Sequence, residues 1–211
     1  MSATAAAPAA GPARTVSQIL VADRGWFDRS ALAVAPELLG MYLVHDHLAG
    51  PIVGRIVEVE AYLGREDLAS HAARGVTPRN AAMFGPPGHL YVYLIYGMHH
   101  CLNVVTGPGR KPEAVLIRAA EILEGEELAR QRRGDVPSHR LAAGPGNLAA
   151  AFDLDRRHDR ADLLTGPVRL ATGTQPTRIE RRPRVGMTTA GTWTDRPLRF
   201  LIADDRHRSR R

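Results

Sequence analysis

The sequence predicts an α+β domain with a curved, largely antiparallel sheet flanked by helices. Two observations carry this expectation. Segments with period-two alternation outnumber those with a helical period. They also come in adjacent runs rather than alternating with helices, which argues against a parallel α/β sheet. No linker long enough to separate two domains and no internal repeat interrupts the chain, and 211 residues suit one ordinary domain.

The Ala/Pro-rich opening, residues 1–14, is expected to be a disordered tail; it lacks the charged start and apolar run of a secretory signal. "SALAVAPELLG" reads as a helix broken by Pro36 and ending at Gly40. "MYLVHDH" and "PIVGRIVEVEAY" read as successive strands joined at Ala49-Gly50. "TPRNAAMFG" offers a helix start, with Thr77 as N-cap and Pro78 at the first helical position. "HLYVYLIY", "CLNVVTG" and "AVLIRAAE" are three more strands. "EGEELARQRR" is a helix whose acidic start and basic end match its dipole. "PVRLATG" and "LRFLIA" close the sheet. The expected domain spans residues 15–205, and "RHRSRR", residues 206–211, is a basic tail expected to be mobile.

The net charge is +6 and the pI about 10.2, which fits a nucleic-acid partner without fixing a fold. Lys111 is the sole lysine and Cys101 the sole cysteine. The second fact excludes an intramolecular disulfide, a multi-thiolate zinc site and a four-cysteine cluster, and suits a reducing compartment. No apolar run is long enough to span a membrane.

One strand carries an unusual face. In "RIVEVEAYLG", residues 55–64, Val57, Val59 and Ala61 point one way while Glu58, Glu60 and Tyr62 point the other. An edge strand facing water explains this pattern, and so does the wall of an active site. A second stretch, "HLYVYLIYGMHHCLN", holds three of the chain's five tyrosines, Tyr91, Tyr93 and Tyr96. A buried tyrosine needs a partner for its hydroxyl, so a core role suits Tyr91 better than the whole cluster. A stacking slot for planar rings explains the others.

The block from "RIVEVEAYLG" through "LYVYLIYGMHHCLNV" closely resembles the alkyladenine (3-methyladenine) DNA glycosylase family, of the type found in mammals and many bacteria. The ordered set "VEAYLG", "SHA", "TPRN", "MF", "LYVYLIYGM", "LN" and "GPGNL" carries the resemblance. "AVLIRAAEILEG" and "WTDRPLRF" extend it over roughly residues 32–202. It implies a β-hairpin that protrudes and inserts into DNA. It also implies a monofunctional glycosylase that flips damaged purines out of double-stranded DNA and hydrolyses the N-glycosidic bond in base excision repair.

By the same resemblance, Glu60 is the general base that activates water, and Arg118 positions Glu60 and that water. Tyr62, His71 and Tyr93 sandwich the flipped base, with Asn103 on the pocket floor crowding the 2-amino group of guanine. Tyr96 and Met98 sit at the hairpin tip, with Tyr96 the wedge, and the Val185 backbone carbonyl completes the water's cage. Glu58 is assigned a structural role, and Arg79 is expected to tie loops together. The competing expectation is a non-catalytic module that binds damaged DNA.

No cofactor is expected, because neither a dinucleotide fingerprint nor a Walker pattern occurs. No metal is expected either: "HDH" at 45–47 and "HH" at 99–100 lack the further ligands a site needs. Lyase chemistry through a Schiff base needs an amine, and Lys111 lies in the "GPGRKPE" loop, far in sequence from Glu60. A monomer working on DNA in the bacterial cytoplasm, at the nucleoid, is the expected setting.

Overall fold

The computed structural model describes residues 23–188 and 190–209. The expected tail at 1–14 lies outside them. The elements in chain order are α1 (Ala31–Leu38), β1 (Tyr42–His45), β2 (Ile52–Tyr62), β3 (Leu90–Ile95), β4 (His99–Thr106), β5 (Glu113–Glu124), α2 (Glu126–Arg133), α3 (Pro145–Ala151), β6 (Val168–Ala171), β7 (Ile179–Arg182) and β8 (Arg199–Ile202), with one-turn helices between them. The fold is α+β, and every strand pairing among the described residues is antiparallel. Among the described residues no helix is long and apolar enough to cross a membrane.

The strands form one sheet in the order β3-β4-β5-β2-β1-β6. β2 is its axis. Its first half pairs with β1 at residues 52–55, and its second half pairs with β8 at Glu58, Val59 and Glu60. β8 in turn carries β7. Glu60 therefore lies on a strand with neighbours on both sides, β5 and β8, and not on a solvent-facing edge. The edge-strand explanation for the carboxylate face is excluded.

Two of the three irregularities in the β2–β5 ladder compensate each other. Ile56 pairs with Ala120 and Glu58 with Ala119, which leaves Val57 as an extra residue on β2. Val59 then pairs with Ile117, which leaves Arg118 as the extra residue on β5. Such bulges bend a strand and re-aim its side chains. Here the register recovers after one residue on each strand, and Arg118 is turned toward the carboxylate face.

The core is built from Leu, Ile, Val and Ala on β2, β4 and β5, with Phe27 and Phe152 among its largest fully buried side chains. α1 packs on β2 and β5, α3 packs on β4 and β5, and α2 packs on α3. Ser30 caps α1, and Glu113 from the start of β5 accepts from the Ser30 hydroxyl and the Ala31 amide.

Several local expectations change. α1 runs through Pro36 to Leu38 instead of breaking there; with only two residues after it, little helix remains to be disrupted. The "TPRN" segment does not cap an α-helix with Thr77. Asn80 accepts from the Thr77 amide and hydroxyl, then donates to the carbonyls of His71 and Gly75, so the segment is a turn tied to its neighbouring loop. α3 and β7 were not expected as elements. The basic segment after residue 205 is anchored as far as Ser209: His207 is 8% exposed, and Ser209 bonds Glu58. A buried carboxylate in need of donors outweighs the solvation that a polar, basic segment would otherwise seek.

Candidate active site

Two cavities adjoin where β2, β3, β4 and β5 meet. The larger cleft, of about 330 Å³, includes Glu60, Tyr62, Tyr93, Tyr96, Arg118 and Val185 in its lining. The smaller pocket, of about 110 Å³, has Tyr62, His71, Tyr93 and Asn103 in its wall. Tyr62 and Tyr93 line both. The structure thus gathers every residue expected in the catalytic site, base pocket or DNA wedge except Met98, which lies on the hairpin tip outside both linings.

Glu60 is fully buried, yet it lines the larger cleft. Its Oε1 accepts from the Val185 amide at 2.8 Å and faces Arg118 Nη1 at 3.3 Å. Its Oε2 accepts from the Tyr62 hydroxyl at 2.9 Å. A carboxylate has about four lone-pair sites, so three donors leave it with acceptor capacity for one more proton-bearing group. For Val185 it is the N–H that meets Glu60. Burial, and next the Glu60 charge, hold the Tyr62 hydroxyl well above its usual range, so it stays a donor.

Arg118 spans two carboxylates. Its Nε donates to Glu58 Oε1 at 2.9 Å while Nη1 faces Glu60. Burial pushes the guanidinium down, but Glu60 and Glu58 more than offset this and its pKa is raised. Glu58, expected to be structural, is fully buried and fully engaged. Arg118, Arg199, the Ser209 hydroxyl and the Ser209 amide all reach it.

Each of the two tyrosines shared by both cavities has an arginine over its ring. Arg184 lies over the Tyr62 ring, 4.6 Å from its centroid, and Arg79 over the Tyr93 ring at 5.3 Å. Arg79 also donates to the Leu94 carbonyl, so it ties its loop to β3 as anticipated. His71 meets Tyr93 edge to face at 4.7 Å, and its Nδ1 pairs with the Tyr91 hydroxyl at 2.9 Å. That contact gives buried Tyr91 the partner its hydroxyl requires. Burial lowers the His71 pKa, and Arg79 and Arg74 lower it further. Burial also pushes Tyr91 up to about 12 and Tyr93 higher still. Asn103 sits opposite Tyr91 in the hairpin register, and its Nδ2 donates to the Tyr91 carbonyl at 3.0 Å.

The β3–β4 hairpin ends in a tight turn. Tyr96 has φ 54° and Gly97 φ 71°, and the Met98 amide donates back to the Ile95 carbonyl. Two successive positive φ values are the type I′ geometry that suits a hairpin's twist. For a tyrosine the first of them is strained. Tyr96 is nonetheless 83% exposed and Met98 71% exposed, so the turn lifts two large side chains into solvent. At the base of the cleft, Gly146 opens α3 close to the hairpin: a Cβ there would lie 3.0 Å from the His99 side chain.

The sequence reading missed Asp67, Arg184 and Ser209. Arg184 adjoins Val185, and its neighbourhood is the only signal it gave. Asp67 accepts from Arg184 and from the amides of Leu63 and Ala69, fixing the loop that follows Tyr62. The histidines of "HDH" are engaged with protein atoms: His45 with the Phe152 carbonyl and His47 with Asp153. Among the described residues no group of three or more His, Cys, Asp or Glu is placed to hold a metal ion. Lys111 is exposed in the loop before β5.

Comparison with known proteins identifies the family of this chain. Residues 25–206 match the family model of methylpurine-DNA glycosylase. A Streptomyces avermitilis protein is 48% identical over 188 residues, 86% of this chain and 87% of its own length. One from Myxococcus xanthus is 46% identical, over 88% of this chain and 91% of its own length. One from Methanocella arvoryzae is also 46% identical, over 85% of this chain and 91% of its own length. All three are provisionally named 3-methyladenine DNA glycosylases. The chain described here belongs to the methylpurine-DNA glycosylase family.

Proposed function

We propose that this protein, a DNA glycosylase acting in repair, flips alkylated or deaminated purines out of duplex DNA and hydrolyses their N-glycosidic bonds with a water activated by Glu60. The observation that supports this most is the state of Glu60: a buried carboxylate, oriented by three donors, with one acceptor site to spare beside an aromatic pocket. A module that only grips a polyanion gains nothing from burying a carboxylate there, because the desolvation cost and the repulsion both oppose binding.

The reaction breaks the bond between C1′ and the base nitrogen, and water adds at C1′. Glu60 orients that water, takes its proton as the new C1′–O bond forms, and offsets the positive charge that develops on the sugar. Arg118, Tyr62 and the Val185 amide keep the carboxylate in one orientation, and the Val185 carbonyl completes the water's cage. The freed base and an intact abasic strand are the products. Tyr62, Tyr93 and His71 clasp the extruded base. Stacking on tyrosine favours a cationic methylpurine, by roughly 0.5–2 kcal/mol for a cation–π contact. Tyr96, with Met98 beside it, fills the gap left in the base stack.

The test is single-turnover base release, with EDTA present, from methylated DNA and from duplexes carrying hypoxanthine, ethenoadenine or normal adenine. Release from damaged DNA alone, leaving an uncleaved abasic strand, is expected. Glu60→Gln is expected to slow release by about a hundredfold or more, as for loss of a general base, while lesion binding persists. Release unaffected by Glu60→Gln refutes the mechanism. Tight binding without release from any substrate favours the binding module.

A further inference from the structure

We infer that Ser209, in the basic segment that follows the last strand, is a positioning residue for catalysis: its hydroxyl locks Arg118 into the orientation that serves Glu60. This inference rests on the proposed role of Glu60.

The guanidinium of Arg118 is held along one edge. Nε donates to Glu58 Oε1 at 2.9 Å, and Nη2 donates to the Ser209 Oγ at 3.2 Å. The same hydroxyl donates its proton to Glu58 Oε1 at 2.8 Å, which closes a three-membered network. With that edge occupied, Nη1 is the corner turned to Glu60, at 3.3 Å. The Ser209 amide independently holds Glu58 Oε2 at 2.6 Å. The backbone bond therefore anchors the segment, and the hydroxyl makes the further bond that reaches Arg118. The two tasks fall on different atoms of one residue and are separable by mutation.

The segment is brought there by residues with no part in the cleft lining. Arg55 on β2 pairs with Asp205, the Asp205 carboxylate accepts from the His207 amide, and Arg208 pairs with Glu180 on β7. Ser209 lies beside the Gly144 turn that precedes α3. The other donor on Glu58 Oε1, Arg199 Nη1, is at 3.4 Å and does not reach Glu60. Without the Ser209 hydroxyl, Arg118 keeps one bond to Glu58 and gains freedom to rotate about it. Nη1 then leaves its place at Glu60. Misplacement of a supporting group by about 1 Å costs up to about a hundredfold in rate.

The test uses the full chain with Ser209→Ala, Ser209→Thr and Glu60→Gln, assayed on methylated DNA and on a hypoxanthine duplex. Ser209→Ala is expected to lower the single-turnover rate by about tenfold or more, with lesion-duplex affinity and melting temperature unchanged. Ser209→Thr, which keeps the hydroxyl, is expected to restore the rate. A wild-type rate in Ser209→Ala, where Glu60→Gln is inactive, overturns the positioning role alone. So does a loss in Ser209→Ala that follows a lowered melting temperature and is not rescued by threonine. Excision that persists in Glu60→Gln overturns this inference together with the reading of Glu60.

Discussion

Arg184 and Asp67 meet fork to fork behind the base pocket, Nη1 to Oδ2 at 2.5 Å and Nη2 to Oδ1 at 2.8 Å, with both side chains fully buried. Arg184 also donates to the Ala61 carbonyl and lies over the Tyr62 ring. One ion pair thus fixes three things at once: the end of β2, the ring of Tyr62, and the loop whose Val185 amide holds Glu60.

Removing one partner of such a pair leaves the other charge buried and uncompensated, at a cost of about 3–5 kcal/mol. Arg184→Met is therefore expected to destabilise the fold by that amount. Arg184→Lys is expected to recover little, because an ammonium cannot bind both carboxylate oxygens in the same plane. Urea denaturation checks both variants. A loss below about 1 kcal/mol in Arg184→Met, the range of an exposed pair, refutes the structural role given to this contact.

How much of this was legible in the sequence follows from the kind of interaction involved. Period-two alternation exposes a strand such as β2, so its position and the shared face of Glu58, Glu60 and Tyr62 were readable. β7 is "IERR", too short and too charged to show a pattern, and it exists because β8 supplies its hydrogen bonds. α3, "PGNLAAA", is short and has no polar face to give it a period. The bulge at Arg118 arises only when β2 and β5 pair, so neither strand announces it. Arg184 and Asp67 are 117 residues apart, and Ser209 is 151 residues from Glu58. Nothing local marks such partners. The resemblance to a family named the residues that line the cleft and some that hold them, Arg118, Glu58 and Arg79, but it was silent on Arg184, Asp67 and Ser209.

Tyr96 trades stability for exposure. A non-glycine residue in the left-handed region costs about 1–2 kcal/mol, and glycine's greater freedom when unfolded offsets about 0.5–1 kcal/mol of the gain on replacing it. Tyr96→Gly is expected to raise stability by about 0.5–1 kcal/mol while weakening binding to a lesion duplex. Binding to a single-stranded lesion, where no stack needs filling, is expected to fall much less. Denaturation and fluorescence titration with the two DNAs check this. Equal losses on both DNAs remove the wedge role.

Asn103 is expected to act by shape. With Nδ2 donated to the Tyr91 carbonyl, its amide is held against the strand and cannot swing out of the pocket. A purine bearing a 2-amino group must then meet it. Asn103→Ser shortens the side chain, and excision of guanine-like bases is expected to rise relative to adenine-like ones. A steric difference of this size is worth about 1–3 kcal/mol, or roughly 10–200-fold in relative rate. Competition between hypoxanthine and 7-methylguanine substrates measures it. An unchanged ratio removes the gate assignment.

His71 is expected to set a pH limit on the excision of charged bases. Burial, and then Arg79 and Arg74, disfavour the imidazolium and place its titration below the usual 6.5. The neutral ring is therefore the major form at pH 6.5, and a cationic base meets less repulsion there than from an unperturbed histidine. Only at lower pH does His71 gain a proton, and like charge then opposes a cationic methylpurine far more than a neutral one. The ratio of 3-methyladenine to hypoxanthine excision is expected to be flat from about pH 8 to 6.5 and to fall below that, following the lowered titration of a buried histidine. Single-turnover rates on methylated DNA and a hypoxanthine duplex give the ratio at each pH. His71→Gln, which keeps a polar side chain without a titrating proton, is expected to flatten the profile. A ratio that already declines above pH 6.5, or one that His71→Gln leaves pH-dependent, assigns the effect to another group.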